Sequence, residues 1–412
     1  MDENCCMRKG VSAFIGSVAV AAAAMAISSG RLAAQTPAKP VLRAGAPAPS
    51  SRQSGAKPAT AKPVAPAPAR LSGLKRTADG HPDLTGTYDV ATMTPVERPA
   101  GVKSLTLTKE EAMALEMYEA ERQKKNDAPL DADRKAPPVG GETTTGKSYL
   151  EFLERAGGGV VGGYNNFWLA GGTQLITVDG QKRSSLIMDP PDGKIPLMKP
   201  EARQRNARFA AGGAVAPDAS ESAAAGPPGA FDGPELRPLA ERCLLGFGNT
   251  SGPPTLPNYF YNNLKQIVQT KDTVILLNEM VHDARVVRMN AEHAPPTIRK
   301  WMGDSVGHWE GDTLVVDTTN FTNKTRYNGS GEQLHVVERF TRVDPKTILY
   351  RFTVEDPTTW DRSFTGEYPW RATDEKLYEY ACHEGNYSLG GMLRGARQKE
   401  ADDAAAKKTG KE

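Results

Sequence analysis

The sequence predicts a mainly β protein in which an antiparallel meander closes into a barrel-like domain, with a few peripheral helices. Three observations carry this. First, β-branched and aromatic runs follow one another through the second half of the chain: KQIVQTKDTVILLNEMVHDARVVRMN, HWEGDTLVVDTTNF, LHVVERFTRVD, KTILYRFTVEDPTTW, RSFTGEYPWRA and KLYEYACHEGN. Second, the breaks between them are short and polar, of the E-G-D, D-P-K and D-P type that turns the chain sharply. Third, no helical periodicity intervenes, and parallel neighbours need a long crossover, so short turns imply antiparallel pairing. Six or more such strands remove their exposed edges by closing on themselves or by folding into two packed sheets, and a barrel is the expectation here.

In chain order, residues 1–34 read as a secretory signal peptide. Arg8 and Lys9 precede an apolar run from Val11 to Ile27, and the small residues Ala33 and Ala34 mark a cleavage position. The run is short for a membrane span and no stop-transfer pattern follows, so no stable span is expected after cleavage, and a periplasmic or secreted location is. Residues 35–71 are Pro, Ala and Lys with little to bury, a disordered spacer. Residues 72–200 are mixed. PDLTGTYDV gives a first strand around Gly86, and LTKEEAMALEMYEAERQKK gives a helix opened by Thr108 with Glu111 three residues on. TQLITVDG and RSSLIMDPPDG give two short strands. Residues 201–235 read as a flexible low-complexity insertion, residues 236–396 as the antiparallel β core, and residues 397–412 as a disordered, charged tail.

Several function classes are excluded at this level. The 412 residues carry 51 Lys and Arg against 49 Asp and Glu, and no basic cluster interleaves with aromatics, so no nucleic-acid partner is expected. GETTTGKS at 141–148 matches the phosphate-cradling loop of nucleotide hydrolases. Such a loop must follow a buried strand, and the preceding NDAPLDADRKAPPVGG is polar and proline-rich, so no nucleotide is expected either. The H-x-x-x-H and H-E-x-x-H metal patterns and the G-x-S-x-G elbow do not occur, and no metal or other cofactor is implied. Cys5 and Cys6 belong to the signal segment. Cys243 and Cys382 remain, either as a disulfide in an oxidising compartment or as two buried thiols.

The strings WMGDSVGHWEGDTLVVDTTNF, VERFTRVD, TVEDPTTW and YEYACHEGN resemble a large family of uncharacterised secreted bacterial proteins, and the likeness reaches back to PDLTGTYDVATMTPVERP. The resemblance implies secretion but no activity and no site residues. More loosely, the G-x-Y opening at Gly86 ahead of a meander is similar to the start of lipocalin barrels, a likeness of fold alone.

Candidate chemistry gathers in the strands. In VHDAR, a strand would place Asp283 and Arg285 on one face and His282 on the other, and the carboxylate and guanidinium would pair or clamp a polar ligand. In ACHEGN, His383 and Glu384 stand at a strand end, where a histidine beside a carboxylate suits general-base work. His282, Asp283, His383 and Glu384 are therefore the catalytic candidates. Glu279, Arg285, Asp317 and Glu338 are charged residues in otherwise apolar strands and require partners. Together with Trp309, and with Tyr259 and Asn262 of NYFYNN, they are the ligand-binding candidates. The reading that follows is an extracytoplasmic barrel that binds a small molecule. Its rivals are an acid–base enzyme, a hydrolase or lyase on a glycoside-like substrate, and a structural envelope protein.

Overall fold

A computed structural model describes residues 73–126, 171–211, 231–246, 252–258, 261–325 and 327–408. The signal segment, the spacer, GETTTGKS and Tyr259 lie outside the described residues. The strands are β1 (Gly86–Asp89), β2 (Thr177–Val178), β3 (Gln181–Lys182), β4 (Ile187–Asp189), β5 (Leu264–Gln269), β6 (Thr273–Asn278), β7 (Ala284–Met289), β8 (Asp304–Glu310), β9 (Thr313–Thr319), β10 (His335–Asp344), β11 (Thr347–Glu355) and β12 (Phe364–Thr373). Nine of them close into a barrel in the order β1, β5, β6 and so on to β12, which pairs back with β1. The far edge of β12 is shared: β1 takes Arg371 to Thr373, and β4 takes Thr365 and Gly366.

One pairing departs from the expected meander. β7 and β8 run parallel, with Val287 opposite Ser305 and Met289 opposite Gly307. The connection over 290–303 is long enough to return the chain to the end from which β7 started, which a short turn cannot do.

β10 and β11 show why these residues form barrel staves. Their burial alternates residue by residue, with Val336, Glu338, Phe340 and Arg342 inward on one and Ile348, Tyr350, Phe352 and Val354 inward on the other. The inward rings pack on each other: Phe340 lies 5.0 Å from Tyr350 and edge-on to Trp370 at 5.4 Å, and Tyr350 meets Tyr368 at 5.3 Å. Gly366 faces Phe352 across β11 and β12, and a Cβ there would sit 2.8 Å from the ring's Cε1, so only glycine admits that ring.

The chain also fills its own barrel. Residues 252–258 are buried throughout. The Thr255 N–H donates to the Tyr350 hydroxyl at 2.9 Å, and the Tyr368 hydroxyl donates to the Thr255 carbonyl at 2.7 Å. This segment is a plug. It is tied to the start of β5 by reciprocal bonds of 2.7 Å between Asn258 and Asn263.

Among the described residues, four helices lie outside: α1 (Lys109–Asn126), α2 (Pro200–Ala211), α3 (Cys382–Gly385) and α4 (Tyr387–Lys408). α1 starts as its sequence requires, with the Thr108 N–H bonded to Glu111 at 2.9 Å and the Glu111 N–H to the Thr108 hydroxyl at 3.1 Å. Three expectations are corrected. The insertion expected over 201–235 begins inside a helix: α2 buries Ala202, and Asn206 bonds the Gly329 carbonyl at 3.1 Å. KLYEYACHEGN is not a strand, because β11 begins at Thr347 opposite Arg371 and offers no backbone to pair beyond β12. The tail expected to be disordered from 397 is helical to Lys408, braced by Arg397–Glu400 and Lys399–Asp403 pairs at 2.7 and 2.9 Å. Cys243 and Cys382 are joined in a disulfide. Among the described residues, no helix is long and apolar enough to cross a membrane.

Candidate functional site

Arg285 does not pair with Asp283. β7 begins at Ala284, so His282 and Asp283 belong to the corner before it, and Arg285 is the first inward residue of the strand. Its guanidinium forms a two-point pair with Glu338 of β10, through Nη1 to Oε2 and through Nη2 to Oε1 at 2.8 Å. Tyr350 donates to the same Oε1 at 2.8 Å. Ser305 and Thr318, cross-strand neighbours 2.9 Å apart, lie 3.5 and 3.4 Å from Nη1. The two charges are 4% and 0% exposed. Burial works against the Arg285 charge, but Glu338 outweighs it and holds the guanidinium above its ordinary range. Burial and the Glu338 charge push the Tyr350 hydroxyl well up. The two predicted ligand-binding charges are thus spent on each other.

The β5 stave, two strands along from β7, is different. β5 turns Lys265, Ile267 and Gln269 inward, with Lys265 opposite Tyr88 of β1 and Asn278 of β6. Lys265 is 0% exposed, and its Nζ has no hydrogen-bond partner among the described residues. Burial brings the amine down to about 8, and the nearby carboxylates of Glu279 and Asp283 pull the other way. Glu279 is itself buried and accepts the backbone N–H of Tyr378 at 3.2 Å and of Leu264 at 3.4 Å. The corner that presents both carboxylates is strained: Val281 and His282 hold φ of 58° and 44°, and a β-branched residue is rare in that region. Two further interior polar atoms, Asn258 Oδ1 and Trp370 Nε1, also have no partner among the described residues.

On the outer wall, the residues between these inward positions build a hydrogen-bonded chain. Asp317 of β9 accepts from His335 Nε2 at 2.8 Å and meets His293 Nε2 at 2.9 Å. The other nitrogen of His335 reaches Glu355 at 2.6 Å, and that of His293 reaches Asp304 at 3.3 Å. Asp304 is further held by Lys300 and Arg288, each at 2.8 Å. Hydrogen bonding to Asp317 raises His335 to about 9 against its burial, with Glu355 adding to the rise. Burial works against the Asp317 charge, but the two histidines outweigh it and hold the carboxyl below its usual range. All four ring nitrogens are engaged, so neither imidazole presents a lone pair to a substrate. The arrangement fastens the 290–303 connection to β8 and β9 through Asp304 and Asp317. Among the described residues, no cluster of three or more His, Cys, Asp and Glu is placed to hold a metal ion.

The other sequence candidates are scattered. His282 is exposed on the strained corner, and His383 and Glu384 are exposed on α3; no hydrogen bond or ion pair joins these two places among the described residues. Trp309 stacks on His81 at 4.5 Å. Asn262 sits at φ 57° and its carbonyl accepts from Asn258 at 2.8 Å. Lys265, His293 and Asp304 escaped the sequence reading, whereas Glu355 is one of the acids in otherwise apolar strands. His293 stands in a proline-flanked connection, and Lys265 occupies the more polar of the two faces of its strand. No protein-family model, curated protein or solved structure matches this chain.

Proposed function

We propose that this is an extracytoplasmic binding protein that holds a small, partly polar molecule at the Lys265 end of its barrel. The observation that carries the proposal is the Lys265 ammonium, fully buried with no hydrogen-bond partner among the described residues. An interior cation without a partner costs several kcal/mol, and a ligand that offers a lone pair removes part of that cost. Glu279 and Asp283 already supply negative charge, so the site favours a neutral acceptor over an anion. The tilted and edge-on interior rings and the 252–258 plug restrict the ligand to a small one. The Cys243–Cys382 bond supports an oxidising compartment, in agreement with the leader-like N-terminus.

Binding is preferred to acid–base catalysis because the catalytic candidates lie apart and the two wall histidines have no nitrogen to spare. The test is native mass spectrometry of the full chain beside Lys265→Met. A stoichiometric small molecule on the wild type, lost in a variant that melts at the same temperature or higher, is the expected result. A wild-type chain that carries nothing and takes up no member of a neutral small-molecule library overturns it.

A further inference from the structure

We infer that Lys265 captures its ligand covalently, as an imine with an aldehyde or ketone. This rests on the reading of the Lys265 end as the binding site and goes further by naming the ligand's chemical class. The geometry is that of an amine reserved for reaction. Nζ is fully enclosed, makes no hydrogen bond among the described residues that would hold its lone pair or its protons, and lies within the field of the Glu279 and Asp283 charges. The surrounding surface is aromatic and amide in character: Tyr88 is its register partner, Trp370 lies 6.1 Å from the Tyr88 ring, and Asn278 faces it from β6.

An exposed lysine titrates near 10.4, which leaves roughly one amine in a few thousand neutral at pH 7. The value of about 8 at Lys265 raises that to roughly one in ten. A lysine desolvated in this way is the ordinary nucleophile for carbonyl carbon. The neutral amine adds to the carbonyl carbon, forming the N–C bond and a carbinolamine. The C–O bond then breaks, and the oxygen leaves as water with the two protons that the amine carried. No oxidant or reductant is consumed. Protonation of the imine restores the positive charge that Glu279 and Asp283 already face, so the product retains the electrostatic environment of the free ammonium.

The experiment treats the full chain with propanal or benzaldehyde, with and without cyanoborohydride, and maps the reduced adducts by peptide mass spectrometry. The expected result is an adduct on Lys265 that forms at least tenfold faster than on the exposed Lys75 and Lys399, with a rate that falls as pH drops from 8 to 6. Without reductant, the intact mass should rise by the mass of the aldehyde less one water. Adducts confined to exposed lysines with both probes overturn the inference. If a molecule released intact on unfolding is then found on the wild type and not on Lys265→Met, binding stands and only the imine fails. If the chain carries nothing and neither probe touches Lys265, both readings fall.

Discussion

The inner wall and the outer wall of this barrel use the same groups, carboxylates against cations, with different results. Inside, Arg285, Glu338 and Tyr350 form a closed set in a dry core, where removal of one partner leaves the other charge unsolvated. Outside, Asp304, His293, Asp317, His335 and Glu355 form an open chain, with His335 29% and Glu355 51% exposed at one end. Water screens the His335 and Glu355 end of the second set and reaches groups left behind there by a mutation, while Asp304 at the other end is buried. The contrast shows that hydrogen-bond geometry alone does not rank the two sites: burial makes the loss of one partner costly inside and cheaper at the exposed end outside.

The largest expected effect breaks the inner set. Glu338→Ala should cost about 3–5 kcal/mol by urea unfolding, because Arg285 is left buried and unpaired. The double variant Arg285→Met/Glu338→Leu should recover most of that loss. A double variant as unstable as the single one would show that the pair does more than satisfy itself. On the outer wall, Asp317→Asn should cost about 1–2 kcal/mol, less at high salt.

The pH dependence sharpens the comparison. His335 is raised from 6.5 to about 9, so its contribution is complete below about 6.5 and is lost as pH climbs through 9. Asp317 is depressed below 3.8, so its contribution is complete above that value and is lost as acid brings pH down through the lower folded value. The melting-temperature gap between wild type and Asp317→Asn should therefore be widest between about pH 4 and 6.5 and should narrow towards pH 9. A gap that stays constant to pH 9 would place His335 at its ordinary value. The smallest effect belongs to Glu355→Gln, at most about 1 kcal/mol by the same assay, since that carboxylate is half in water.

The barrel was legible where alternation was strict. HVVERFTR and ILYRFTVE were legible as strands, though not as to which of their faces is interior, and the Thr108–Glu111 cap states its own helix start. Legibility failed where a strand turns a charged residue inward. In LKQIVQ the apolar choice is Leu264 and Val268, yet the chain turns Lys265 and Ile267 inward and leaves Val268 exposed. In ARVVRM, Val286 is 54% exposed while Arg285 points into the core. The reason is that the deciding partners are remote: Glu338 stands 53 residues beyond Arg285, and no local pattern announces it. Asp317 and Glu338 looked alike in sequence, as acids in apolar strands. Val316 stands opposite Glu338 and Asp317 opposite Val337, so one acid faces in and the other out. The parallel β7–β8 pair was missed because its connection carries no helix to advertise a crossover.

Closure through β1 and β12 couples the order of synthesis to the order of assembly. β5, β6 and β7, and later β8 to β12, find their neighbours a few residues away, but β1 pairs with residues 371–373 near the far end of the β core. The first strand of the barrel must wait for the last. Until then, β1 and β11 present open edges to other chains, a period of exposure that local stability does not shorten. A circular permutant that places β1 directly after β12 turns this most distant pairing into a hairpin and should refold faster in stopped-flow fluorescence, with an unchanged unfolding rate.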